Sequence, residues 1–371
     1  MLSISDINYY LFKAYLQLFH DTLLLRHRYV EGLENLPPDG TRYIIVCNHQ
    51  NTGNDPFNIL FGLPFSVRIS AMSRANMFDI HPLFSRFISW LGVVPAFRFG
   101  FEGGAQLQDN FHSFEAVGRS LERGRPFVIF PEAGHTQGHY LNRFTSGTVR
   151  IALNAAQHDD FRHDIQILPI ATHYSDYFDI QHDIVLRLAK PISLQPYYEE
   201  FSVHPNTVLR TVTHQMHDTI QQLMLDEGAT DYEERDFMRN SAFNPATLTD
   251  MPLPERLEQD KAFVARLIAH PAYSQIIPLA RQLREAEERL GVSDQMIVSP
   301  PHALTLVVEA IALLCLLPLW LVSLWPHAIC YRLPLRFLRT DRMFTNTYRY
   351  FLSMLVLYPL TFLLSVLVLW L

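Results

Sequence analysis

The stretch Asn48-His49-Gln50-Asn51-Thr52-Gly53-Asn54-Asp55-Pro56 sets an imidazole and a carboxylate in one short loop rich in Asn and Gly. A carboxylate on one ring nitrogen fixes the tautomer, and the other nitrogen can then take a proton from a hydroxyl. A second cluster, Pro126-Phe127-Val128-Ile129-Phe130-Pro131-Glu132-Ala133-Gly134-His135-Thr136, presents Glu132, Gly134, His135 and Thr136 on a turn after an apolar run. Glycine there lets a ligand approach the backbone, and turn amides can meet an oxyanion or a phosphate. Between the two, Gly92-Val93-Val94-Pro95-Ala96-Phe97-Arg98 ends on an arginine, whose planar fork suits bidentate binding of phosphate. His135 and His139 are spaced for one helical face, but no Glu stands between them in the H-E-x-x-H order, so no metal is expected. Cys47, Cys315 and Cys330 lie far apart, which fits a reducing environment and neither a zinc site nor a disulfide framework.

These residues need a scaffold, and the pattern around them supplies one. Arg42 to Cys47 reads as a buried strand delivering His49 to its carboxyl end, where open α/β sheets place reactive groups. Further strands are predicted over Ser66–Met72, Val93–Phe97, Pro126–Phe130, Ile165–Ala171 and Asp183–Leu188. Helices are predicted over Asn76–Leu91, Gly104–Arg123 and Ser146–Gln157. Strands alternating with helices predict an α/β fold with a mostly parallel sheet flanked by helices. We place this domain at residues 30–205, followed by a charge-rich helical appendage at 206–300 opening on a helix over Val208–Glu227.

The two ends speak of a membrane. From Ala310 to Tyr331, and again from Tyr350 to Leu371, no Asp, Glu, Lys or Arg occurs, and each run is long enough to span a hydrocarbon core of roughly 30 Å. Residues 301–371 are therefore expected to anchor the chain, and Pro318 and Pro326 leave open whether the first run spans or bends back as a hairpin; two single crossings would put the loop between the runs opposite the catalytic domain, which favours a shallow, non-spanning or hairpin-like arrangement. The intervening Arg332, Arg336, Arg339, Arg342 and Arg349 mark a cytoplasmic side. In residues 1–29, Ile7, Tyr10, Leu11, Ala14, Tyr15, Leu18 and Phe19 recur as on one helical face, suited to core packing or to a membrane interface. Asp6, Lys13, His20 and Asp21 interrupt the apolar residues there, so no cleaved signal is expected. A net charge of −7, with about −10 on the first 300 residues, argues against nucleic acid as the main partner.

Taken in order, strand-NHQNTGND, strand-GVVPAFR, strand-VIFPEAG and strand-ILPIA, the last being Ile167 to Ala171, resemble the four blocks of the glycerolipid acyltransferase family. That family includes the glycerol-3-phosphate and 1-acylglycerol-3-phosphate acyltransferases, and the resemblance covers about residues 30 to 195. Val30–Pro37, Ser73–Phe78 and Phe144–Arg150 carry supporting similarities between the blocks.

The resemblance implies that His49 is the general base and Asp55 its orienting partner. It makes Arg98 a ligand for the acceptor's phosphate, and gives Glu132 and Gly134 places in the acceptor site. It also implies an acyl donor, acyl-CoA or acyl-carrier protein, a glycerol phosphate or lysolipid acceptor, membrane attachment with the catalytic domain on the cytoplasmic face, and no cofactor. O-acylation of another lysolipid, such as an amino-acid lipid, and a non-catalytic lipid-binding protein are the alternatives. Two departures stand out: five residues rather than four separate His49 from Asp55, an excess Gly53 is placed to absorb, and Ala133 holds the place where the family has glycine.

Overall fold

The computed structural model describes residues 3–74, 78–79, 81–96, 115–132, 134, 138–178, 180–242, 251–292, 302–337 and 357–370. Among the described residues, eight strands form one sheet: β1 (Leu25–Glu31), β2 (Arg42–Cys47), β3 (Ser70–Arg74), β4 (Val93–Ala96), β5 (Phe127–Ile129), β6 (Ile165–Tyr174), β7 (His182–Leu188) and β8 (Ile192–Ser193). Their order is β1-β7-β6-β2-β5-β3-β4, with β8 also paired to β6. β2 runs parallel to both neighbours, β5 and β6, and β3 runs parallel to β4 and β5, so the carboxyl ends of these strands share one edge. β7 turns back antiparallel on β6, and β1 follows β7 in parallel. The α/β class with a mostly parallel sheet is thus the observed fold.

Because β2 is covered on both faces, its side chains are apolar without alternation. Ile44 and Val46 enter a core with Val149 and Ala152 of α5 (Gly147–His158), Tyr198 of α6 (Tyr198–Val203), and Val212 and Met216 of α7 (Pro205–Leu223). Tyr43, Ile45 and Cys47 enter the opposite core with Ile59 of α2 (Asn54–Gly62). Helices α3 (Pro82–Leu91) and α4 (described over 115–122) flank the β3–β5 side.

Several elements differ from the sequence expectation. The helix α2 was hidden by its Asn-Gly-Asn-Asp-Pro entry, which reads as a loop. Pro56 in fact sits in its first turn, where a missing amide costs nothing. The edge strand β1 was also unforeseen, since Arg26-His27-Arg28-Tyr29 shows no apolar alternation and only Leu25 is buried. β3 starts at Ser70 rather than Ser66, the residues before it forming a turn in which Val67 donates to Pro64. α3 begins at Pro82 behind a His81 cap rather than at Asn76. α7 runs over Pro205–Leu223 and stops short of Glu227.

The helix α1 (Ile4–Phe19), capped by Ser3 and Asp6, has two apolar sides. One packs inward: Tyr9 and Phe12 meet Trp90, and the buried Lys13 ammonium donates to the carbonyls of Phe65 and Val67 at 2.9 Å each. The other side leaves Ile4, Ile7, Leu11 and Leu18 in solvent, at 79%, 47%, 66% and 62% exposure. Near the other end of the chain, α11 (Ala303–Phe337) continues unbroken through Pro318 and Pro326, in place of the hairpin course expected there. Its segment Ala303–Leu321 has a mean hydropathy of 2.4 and no buried residue. The helix α12 (Tyr358–Trp370) reaches α1, where Tyr358 stacks on Phe19 at 6.3 Å between centroids. Residues 338–356 lie outside the described residues.

Beyond α7, the helices α8 (Tyr232–Ser241), α9 (Leu253–Ile268) and α10 (Tyr273–Leu290) are tied to the sheet domain by a buried ionic network. Arg239 donates to Glu227 at 2.8 Å, to Asp260 at 3.3 Å and to Asp236, and lies 3.3 Å from Nδ1 of His139. Burial pushes the Glu227 carboxyl up to about 7 and raises that of Asp260, while Arg239 opposes both shifts. Arg239→Met removes the cation and strands these carboxylates in low dielectric, at a cost of about 3–5 kcal/mol. A carboxyl whose folded value is raised destabilises the fold above its ordinary value and ceases to do so once protonated. Thermal melts are therefore expected to show a large deficit for the variant at neutral pH that shrinks as pH falls through the folded values.

Candidate active site

The carboxyl ends of β2, β5 and β6 bring three segments together. The chain leaves β2 through Asn48, whose amide is locked to β6: Nδ2 donates to the Thr172 carbonyl at 2.9 Å and Oδ1 accepts from the Thr172 amide at 2.8 Å. This buried cross-strand pair fixes where the next residue, His49, emerges. The imidazole is 20% exposed and stacks on Phe130 with centroids 4.2 Å apart. Its Nδ1 lies 2.8 Å from Oδ2 of Asp55, so the carboxylate fixes the ring and Nε2 is the nitrogen turned to chemistry.

Asp55 is wholly buried in the first turn of α2. Its Oδ2 also accepts from the Asn51 amide at 2.9 Å, and its Oδ1 accepts from the Tyr174 hydroxyl. Asn58, one turn along α2, donates to that hydroxyl at 3.0 Å. Between His49 and Asp55, Thr52 takes the left-handed conformation with φ of 44°, while Gly53, with φ of −70°, holds one that any residue could adopt. A β-branched residue in the left-handed region stores of order 1–2 kcal/mol, held here by the surrounding bonds.

Glu132 follows β5 and is also buried. Its Oε1 accepts from the His49 amide at 2.6 Å, and its Oε2 accepts from the Asn142 amide at 3.0 Å and side chain at 2.8 Å. Burial pushes this carboxyl up and those donors pull it back. Both oxygens thus face the protein, and Glu132 acts on the site by fixing the His49 loop. Gly134 is exposed, with no atom within 4 Å of where a Cβ would lie, among the described residues. Arg98, together with Ala133, His135 and Thr136, lies outside the described residues. Cys47, buried beside the dyad, has its thiol pushed well up by burial and is no nucleophile.

Further side chains brace this arrangement from behind. Gln50 donates to the Gly138 carbonyl at 2.8 Å and accepts from Tyr177 at 3.0 Å. His139, Glu227 and Asp236 also converge, with ligand atoms within 4.8 Å of one another, but the Arg239 guanidinium already engages all three. Sequence reasoning missed Tyr174, Asn58, Asn142 and Arg239. For Tyr174 the available signal was its place on a strand next to β2, and the strand was ended at Ala171, three residues early.

The site, then, is an oriented, partly exposed imidazole on a buried carboxylate at the carboxyl edge of a parallel sheet. Residues 27–173 match the family model described as Acyltransferase. Those residues belong to the acyltransferase family. The acyltransferase domain so defined runs from β1 into β6 and contains His49, Asp55, Glu132 and Gly134, which makes the protein an acyltransferase by class. Among solved structures, the chain is similar to the 1-acyl-sn-glycerophosphate (LPA) acyltransferase PlsC from Thermotoga maritima. The two share 16% identity and a TM-score of 0.40, over 58% of this chain and 78% of that one. No curated protein matches the chain.

Glu132→Gln places an amide N–H against a donor on one side of the carboxylate's former site. The loss of a charge-assisted bond is expected to cost about 1.5–3 kcal/mol of stability and to lower kcat more than it raises KM. Thermal melts with steady-state kinetics check this. A raised KM with unchanged stability and kcat would instead mark Glu132 as a direct acceptor ligand.

Proposed function

We propose that the protein moves a fatty acyl group from the thioester of acyl-CoA or acyl-carrier protein to a hydroxyl of glycerol 3-phosphate or 1-acylglycerol 3-phosphate, a step of phospholipid synthesis. The observation that carries this reading is the 2.8 Å contact of His49 with the buried Asp55 inside the acyltransferase domain. His49 takes the proton of the acceptor hydroxyl as its oxygen attacks the thioester carbonyl. The tetrahedral intermediate collapses with loss of the thiolate, the imidazolium returns the proton to sulfur, and an ester and a free thiol result. Asp55 holds the ring and stabilises its charged form without becoming protonated. Arg98 is assigned to the acceptor's phosphate, Gly134 to close backbone approach, and Glu132 to shaping the acceptor site through the loop it holds. The chemistry requires no cofactor.

Acceptor and acyl chain both partition to membranes, and the outward stripe of α1 fits a helix lying in the interface. The exposed apolar face of Ala303–Leu321 supplies a second attachment. We place the catalytic domain on the cytoplasmic face, together with the Arg-rich segment after α11, an arrangement that requires α11 to lie shallowly in the membrane surface and not to cross it. Replacing Ile7, Leu11 and Leu18 together by Ser in the full chain is expected to weaken vesicle binding while leaving thiol release with water-soluble substrates unchanged. Flotation with phospholipid vesicles reads the first, and a thiol assay the second.

For the reaction itself, purified protein is incubated with acyl-CoA or acyl-carrier protein and a panel of glycerol phosphate and lysolipid acceptors, and free thiol is measured. Wild-type protein is expected to release thiol with phosphate-bearing acceptors. His49→Ala should lose roughly 10²–10⁴-fold of that rate. Turnover confined to phosphate-free acceptors would remove the assignment of Arg98 and favour another lysolipid, such as an amino-acid lipid, a reading the Ala133 departure supports. Lipid binding without any thiol release would favour a non-catalytic role.

A further inference from the structure

Asp55 poses a problem that the dyad alone does not solve. Its carboxylate has no solvent exposure, and its Oδ2 already serves both His49 and the Asn51 amide. An acceptor oxygen left without a donor in such a place is costly, so the protein has to supply one. The donor for Oδ1 is the Tyr174 hydroxyl, at the end of β6 and wholly buried. A phenol can rotate its proton toward any acceptor, but Asn58 donates to the phenol oxygen and thereby directs the proton at Asp55. Asp55 and Asn58 stand three apart on one face of α2, so one helix face grips the phenol from two sides.

We infer that Tyr174 is a positioning residue for the acyl-transfer reaction, completing a His49–Asp55–Tyr174 chain in which Asn58 sets the direction of the tyrosine's hydrogen bond. The inference rests on the reading of His49 as general base. Burial and the neighbouring carboxylate push the Tyr174 phenol well up, so it stays protonated and donates throughout the working range. Its bond drains negative charge from Asp55, which therefore pulls less strongly on the Nδ1 proton of His49. It also ties α2 to β6, holding Asp55 at the distance the imidazole needs. Tyr174 touches no reacting atom, and its effect is transmitted wholly through Asp55.

The test uses full-length Tyr174→Phe, Asn58→Ala and His49→Ala proteins, with thiol release followed against pH on the acceptor that turns over best. For Tyr174→Phe, kcat is expected to fall roughly ten- to a hundredfold, the kinetic equivalent of one hydrogen bond to a charge, with KM nearly unchanged. The acid limb of the kcat/KM profile should move to higher pH, because a carboxylate with one donor fewer holds the imidazolium proton more tightly. Asn58→Ala keeps both partners and should shift the profile in the same direction by less. If Tyr174→Phe does not fold, Asn58→Ala decides the matter, and an unmoved profile overturns the inference. A folded Tyr174→Phe with wild-type kcat and pH profile overturns it also, while an inactive His49→Ala leaves the base in place. Full activity in His49→Ala would remove the base itself, and with it the role given to Tyr174.

Discussion

A single buried carboxylate sets the terms for the rest of the site. Asp55 must remain charged to orient His49, yet it lies where water cannot reach it, so each of its oxygens has to be supplied from the protein. The supply comes from three places: the loop after β2 through Asn51, the imidazole itself, and β6 through Tyr174. Each donor constrains a different element. The Asn51 amide dictates the turn of the loop, the imidazole dictates where β2 ends, and the phenol dictates how closely α2 lies on β6. The Asn48–Thr172 pair and the Glu132–His49 bond then pin the same loop from either side, to β6 and to the segment after β5. The parallel register of β2 with both neighbours makes this convergence possible, because all three segments leave the sheet at one edge.

The helix that carries Asp55 is also the link to the apolar exterior. Phe61 of α2 packs with Leu16 of α1 and with Leu24, and Lys13 of α1 holds the two carbonyls just after α2 ends. Lys13 is buried at this junction, and that burial pushes its amine down to about 8. α1 therefore turns one side to α2 and α3 and its Ile4, Ile7, Leu11 and Leu18 side outward. Only one helix diameter, roughly 10 Å, separates that outward face from the helix bearing the dyad's carboxylate.

The fold was legible where burial is two-sided. β2, β5 and β6 are short runs of Ile, Val, Leu and Phe whose apolar character follows from packing on both faces, and the parallel α/β class follows from their alternation with helices. It was illegible where local chemistry mimics something else. Gly53 and the asparagines around it look like a turn, and they are one, but they also open α2. β1 lies at an edge, where Arg26 and His27 meet solvent and Asp183, so no alternation betrays it. In the site, His49 and Asp55 could be read because they sit close in sequence. Tyr174 could not, since its contact with Asp55 spans 119 positions and depends on the register of β6 beside β2. Glu132 was found for its place after β5, and its engagement with the His49 amide emerges only when the two loops are seen side by side.

The spacing between the histidine and the aspartate then takes on a different meaning. One residue more than the family pattern would displace Asp55 if the loop kept its course, but Thr52 adopts the left-handed conformation and the Asn54 amide closes on the Asn51 carbonyl at 2.9 Å. That tight turn closes the loop before α2 begins. Oδ2 takes its two contacts from the imidazole and from the Asn51 amide, while the carboxylate's other oxygen is anchored independently by Tyr174 on β6. A dyad held in part from outside its own loop does not rely on that loop alone for its geometry.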